Sequence, residues 1–207
     1  MTRPSRFSVQ LVAAAAMGLA GALVTVHLGH SAPSNTLASP ESFAGIPDTH
    51  TRSAAIFGEI GKVLLSPRCT NCHSANDRPR QGDSQRPHQP PVFRGADGMG
   101  LPALRCPVCH QKANFDAARM PGHDPWAMAP SEMVWEGKTL AEICVQMKDP
   151  ARNGGRSAAD LIEHIGDDPL VGWAWHPGIG RTPAPGTQQE AKALVEAWVE
   201  TGAACPH

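Results

Sequence analysis

Cys69-Thr70-Asn71-Cys72-His73, reached directly from a helix predicted over residues 52–65, is the stretch that decides how this chain folds. The helix places Ala55, Ile56, Ile60, Val63 and Leu64 on one face, and Pro67 ends it. The same pentapeptide pattern returns as Cys106-Pro107-Val108-Cys109-His110. Two thiols three positions apart, followed by an imidazole, suit the attachment of haem c. The thiols add across the two vinyl groups as thioethers, and the next histidine takes the fifth position on iron. On this reading Cys69, Cys72, Cys106 and Cys109 hold two haem c groups, and His73 and His110 are their proximal ligands.

A helix that runs into such a motif resembles the entry segment of c-type cytochromes. The resemblance implies a mainly α fold, a single cytochrome c-like helical domain with long Pro/Gly-rich loops. It also implies an electron carrier with redox proteins as partners. The chain departs from a tandem of ordinary cytochrome c domains, because only 32 residues separate His73 from Cys106. That is too few for a whole single-haem domain, so both haems are expected to share one fold.

The N-terminus bears on whether haem c attachment is chemically accessible. Arg3 and Arg6 precede residues 7–28, where Ser8, Gln10, Thr25 and His27 are the only polar side chains. This reads as a signal peptide or a retained signal-anchor helix over residues 1–30, long enough to span a bilayer. Ala32-Pro33 is a poor cleavage site and Thr36-Leu37-Ala38 only a passable one. Residues 31–50, rich in Ser, Pro, Ala and Thr, read as a flexible linker, and residues 51–207 as the dihaem domain. The expected location is the periplasm, anchored to the inner membrane or released after cleavage.

An exported chain can form disulfides, and Cys144 and Cys205 lie outside the motifs. A bridge between them would close a loop worth about 4 kcal/mol in the chain-entropy account. Two separate buried thiols are the other reading. Eighteen basic residues against nineteen acidic ones give no bulk field to draw nucleic acid. Twenty Pro, twenty Gly and no Tyr indicate many loops and few strands.

Helix starts are legible after the second motif. Thr139 to Glu142 and Thr187 to Glu190 have the spacing of capping boxes, and Ser157 to Asp160 is a weaker version. The helices so begun are expected to run to about Lys148, Ile165 and Thr201, with Gly202 as a C-terminal cap. In the last of them Ala191, Leu194, Val195, Trp198 and Val199 form one apolar stripe. Residues 74–102 read as one polar loop carrying Arg78, Arg80, Arg86 and Arg94. Such a loop could wrap a haem edge or orient an acidic partner.

For the sixth ligands the chain offers several His and Met residues. His88 and His123 stand in Pro/Gly-bounded loops, and Met120-Pro121-Gly122 resembles the Met-Pro turn of monohaem cytochromes. These three are the leading candidates. His164 reads as an ordinary helix-borne histidine and Met147 as core. A methionine there would raise the reduction potential relative to a histidine.

Three further stretches carry a second resemblance: Pro79-Arg80-Gln81-Gly82-Asp83 with Pro87-His88, Arg94-Gly95-Ala96-Asp97-Gly98, and Lys148-Asp149-Pro150-Ala151-Arg152-Asn153-Gly154-Gly155. They look like small bacterial proteins named as isoquinoline 1-oxidoreductase subunits. That resemblance implies a redox role beside a molybdenum hydroxylase. Two other classes compete. Without their histidines the motifs spell a four-cysteine zinc module. A dihaem peroxidase would need an open iron and a distal acid or base, for which Glu132 and Glu136 are available.

Overall fold

The computed structural model describes residues 35–207. The apolar stretch at residues 7–28 lies outside them. Among the described residues no helix is long and apolar enough to cross a membrane.

The described residues hold six α-helices in chain order: α1 Thr49–Leu64, α2 Pro67–Thr70, α3 Leu140–Met147, α4 Ala158–Gly166, α5 Pro169–Gly172 and α6 Gln188–Glu200. Two short antiparallel hairpins stand in the long segment between α2 and α3. They pair β1 Arg80–Gln81 with β2 Arg86–Pro87, and β3 Gly100–Leu101 with β4 Leu104–Arg105. The fold is mainly α. The segment read as one polar loop therefore holds ordered hairpins, which two-residue strands cannot announce through periodicity.

Local chemistry explains where the helices begin. Asp48 caps α1 by accepting from the Thr51 N–H. Thr139, Ser157 and Thr187 each complete a full reciprocal capping box with the acid three residues on, Asp160 included. Proline at the first positions of α2 and α5 fits the φ that a helix start requires. At the end of α6, Gly202 takes a φ of 99°, a conformation that L side chains rarely adopt.

The core is built where α1 packs on α6 and α6 on α4. Ile56, Phe57, Ile60 and Leu64 of α1 meet Leu194, Val195 and Trp198 of α6, with Ile143 and Met147 of α3 completing the cluster. Phe57 and Trp198 are tilted ring partners with centroids 4.9 Å apart. Full burial of each such side chain contributes about 1.5–3 kcal/mol. Leu140 at the start of α3 packs over Gly61 of α1, where a Cβ would come within 2.6 Å of its side chain. Buried Ser53 accepts from the Ala204 N–H and donates to the Trp198 carbonyl, which fastens the C-terminal segment onto α1. Cys144 of α3 is joined to Cys205 beside this cluster.

The described part of the segment read as a linker has fixed contacts on this body. Leu37 packs against the core, the Ala38 N–H donates to Glu59, and the Asn35 carbonyl accepts from Gly186. Composition indicated flexibility, yet the apolar side chains in the segment find a surface to cover.

Candidate haem sites

Both Cys-x-x-Cys-His segments form a helical turn, the first starting at the end of α2 and continuing past it to His73, the second starting with a 3-10 turn at Cys106–Val108. The His73 N–H donates to the Cys69 carbonyl at 3.0 Å, and the His110 N–H to the Cys106 carbonyl at 2.9 Å. The same backbone closure recurs in each motif. All four thiols are unpaired.

The two histidines are oriented alike. His73 Nδ1 lies 2.7 Å from the Met133 carbonyl oxygen, and His110 Nδ1 lies 2.8 Å from that of Pro121. A carbonyl oxygen only accepts, so Nδ1 carries the hydrogen in each ring. Nε2 is left with its lone pair, as metal ligation requires. Each imidazole also lies against an indole: His73 on Trp135 with centroids 3.6 Å apart, His110 on Trp126 at 4.6 Å. Burial pushes the His73 pKa down to about 4 and that of His110 down as well. Both rings are therefore neutral at pH 7, the form that binds iron.

Each motif opens on its own cavity. A cavity of about 380 Å³ is lined by Cys106, Cys109 and His110. A second, of about 160 Å³, is lined by Cys69, Cys72 and His73. The two share a wall made of Arg68, Cys72, Trp126, Ala127, Met128 and Trp173. Trp126 meets Trp173 edge to face within that wall, with centroids 4.8 Å apart.

The lining suits a prosthetic group that carries carboxylates. Arg68 has only 2 % of its side chain exposed, yet its Nε has no acceptor from the protein. Trp135 Nε1 is likewise buried without a partner. Unmet buried N–H groups are costly, and haem propionates would supply acceptors for them. The Arg68 guanidinium is also anchored to Asp83 at 2.7 Å. Asp83 in turn accepts from the Thr182 N–H and hydroxyl.

The candidate sixth ligands are distributed unevenly. His88 and Met120 line the larger cavity with His110. His88 stands edge-on to His110, with ring centroids 5.9 Å apart. Its Nδ1 is 2.9 Å from the Pro90 carbonyl, so its Nε2 also keeps a lone pair. Arg78 grips the His88 carbonyl. His123 lines neither cavity and directs Nδ1 to Pro125 at 3.2 Å. His164, read from the sequence as an ordinary helical residue, lines the smaller cavity with His73. Trp126 and Trp135 were not singled out by sequence reasoning, since no periodicity marks an indole in a loop.

The other sequence candidates have structural partners. Glu136 pairs with Arg80 and accepts from the Ala75 N–H, and neither it nor Glu132 lines either of these two cavities. Arg94 pairs with Asp77. Among the described residues no group of three or more His, Cys, Asp or Glu side chains converges to hold a metal ion. Comparison with protein-family models, with curated proteins and with solved structures finds no match.

Proposed function

We propose that this chain is an exported electron carrier holding two covalently attached c-type haems in one helical domain. One observation carries the reading. Each Cys-x-x-Cys-His turn faces its own cavity, with a histidine whose Nδ1–H is committed to a backbone carbonyl and whose Nε2 is free.

In this account Cys69 and Cys72 hold one haem and Cys106 and Cys109 the other, with His73 and His110 as proximal ligands. Bound haem supplies an iron that alternates between Fe(III) and Fe(II) with little change in coordination. The protein residues do the rest. Met133 and Pro121 fix the imidazole tautomers through their carbonyls. Trp135 and Trp126 hold the ring planes. Arg68 and Trp135 offer buried N–H groups to propionates. His88 and Met120 are the candidates for the sixth position at the second haem. A shared wall between the cavities supports short-range exchange of electrons between the two groups.

The partners proposed are redox proteins: an oxidoreductase as donor, of the molybdenum hydroxylase type if the isoquinoline resemblance holds, and a respiratory acceptor. The reading carries with it residence in the periplasm, with the N-terminal apolar stretch as anchor or cleaved signal.

The test is a pair of single variants, His73→Ala and His110→Ala, made in a host that attaches haem c. Each is expected to disturb one haem spectrum and leave the other intact. Two unaffected haem spectra in either variant would overturn the assignment of that histidine.

A further inference from the structure

We propose that His164 is the sixth ligand to the iron of the haem attached at Cys69 and Cys72, with Asp168 as the positioning residue that fixes its imidazole. This rests on the two-haem reading above. His73 and His164 are the two histidines lining the smaller cavity among the described residues. They come from different elements, His73 from the turn after α2 and His164 from the last turn of α4.

The tautomer of His164 is set by its neighbours. Its Nδ1 lies 3.2 Å from Asp168 Oδ2. The other oxygen, Oδ1, accepts from the Leu170 and Val171 N–H groups at 2.8 and 3.2 Å and so caps α5. An ionised carboxylate only accepts, so the imidazole hydrogen stands on Nδ1 and Nε2 keeps its lone pair. A histidine whose second nitrogen is bonded to a carboxylate is the usual arrangement of a metal ligand with its supporting group. His164 does not depend on a mobile loop for its position. Ser157 and Asp160 box the start of α4, and Gln188 on α6 donates to the Ile165 and Asp168 carbonyls.

Two methionines line the same cavity and compete for the role. The Met133 carbonyl is spent on His73 Nδ1, which puts that residue on the proximal side. Met128 stands in the wall common to both cavities and so belongs to neither one alone. His164, like His73, combines a place in the smaller cavity with an oriented, unspent donor nitrogen.

The experiment uses the full two-haem protein, with haem content established by intact mass before any other reading. His164→Ala is expected to keep two haems by mass. On reduction it should bind one carbon monoxide per chain beyond the wild type, and one low-spin ferric EPR signal should be lost. His164→Met is expected to raise the midpoint potential of one haem and to introduce the charge-transfer band of a methionine–iron bond. Asp168→Asn removes the carboxylate that makes His164 more basic, so it should raise the potential of the same haem and leave the other unchanged. Should the alanine variant fail to fold, the methionine and asparagine variants decide. Two haems by mass with unaltered EPR, carbon monoxide binding and potentials would overturn the His164 assignment alone. A chain without covalent haem would overturn the two-haem reading and this assignment with it.

Discussion

The indole of Trp135 lies flat on the imidazole of His73, with centroids 3.6 Å apart and planes 4° from parallel. Together with the Met133 carbonyl on Nδ1, this holds the ring both by its edge and by its face. Trp126 does the same for His110, with planes 12° apart. The repetition ties the two motifs to one structural solution.

Replacing Trp135 with Ala removes a buried ring and leaves a cavity beside His73. Such truncations cost about 3–5 kcal/mol, and urea denaturation is expected to show a loss of that size. Trp135→Phe should recover part of it by restoring a stacked ring. A loss of less than about 1 kcal/mol for the alanine variant would mean that the stack does not support the fold.

The Cys144–Cys205 bridge closes a sequence separation of 61 residues and ties α3 to the C-terminal segment. In the chain-entropy account a loop of this length stabilises by about 4 kcal/mol. The double variant Cys144→Ser with Cys205→Ser is expected to melt several degrees lower than the parent while retaining its haem content. An unchanged melting temperature would contradict the bridge.

Arg68 lines both cavities as a buried cation. A positive charge near an iron disfavours its oxidised form, so removing the charge lowers the potential. Arg68→Met is expected to shift both midpoints downward, while Asp83, exposed and held by the Thr182 N–H and hydroxyl, keeps its partners. Potentiometric titration in which only one haem responds, or neither does, would place the guanidinium away from the shared wall.

Burial pushes the Cys69 thiol up to about 12 and the Cys72 thiol up to about 11. The thiolate is the nucleophile, so a raised pKa leaves both groups protonated and slow to react at pH 8. About one Cys69 in ten thousand would be ionised at that pH. In haem-free chain, iodoacetamide labelling followed by peptide mass is expected to modify exposed Cys109 first and Cys69 last. The Cys69 rate should rise about tenfold per pH unit up to pH 11. Equal rates at all four thiols would contradict the buried setting of α2.

Much of the helical frame was legible because its signals are local. The hydroxyl at Thr139, Ser157 or Thr187 and the acid three residues on are enough to start a helix, and the apolar stripe of α6 is a direct 3.6-residue pattern. The local turn of each Cys-x-x-Cys-His segment was legible for the same reason, since it closes on itself within one turn. What the sequence could not show depends on distant partners. Nothing near Trp135 or Trp126 marks either ring as the support of a histidine far away in the chain. His164 looks like any polar residue on an amphipathic helix until α4 is packed on α6 and its last turn faces the smaller cavity. His123 had the loop setting expected of a ligand, and it lines neither of the two cavities. The short hairpins at Arg80–Gln81 and Gly100–Leu101 are too brief for alternation to register.

The most direct test of the central claim is a pyridine haemochrome spectrum combined with intact mass, on protein made in a host that attaches haem c. The account predicts a c-type spectrum and a mass increase of two haems. A chain with no added haem mass, or one that binds zinc through its cysteines instead, would contradict it.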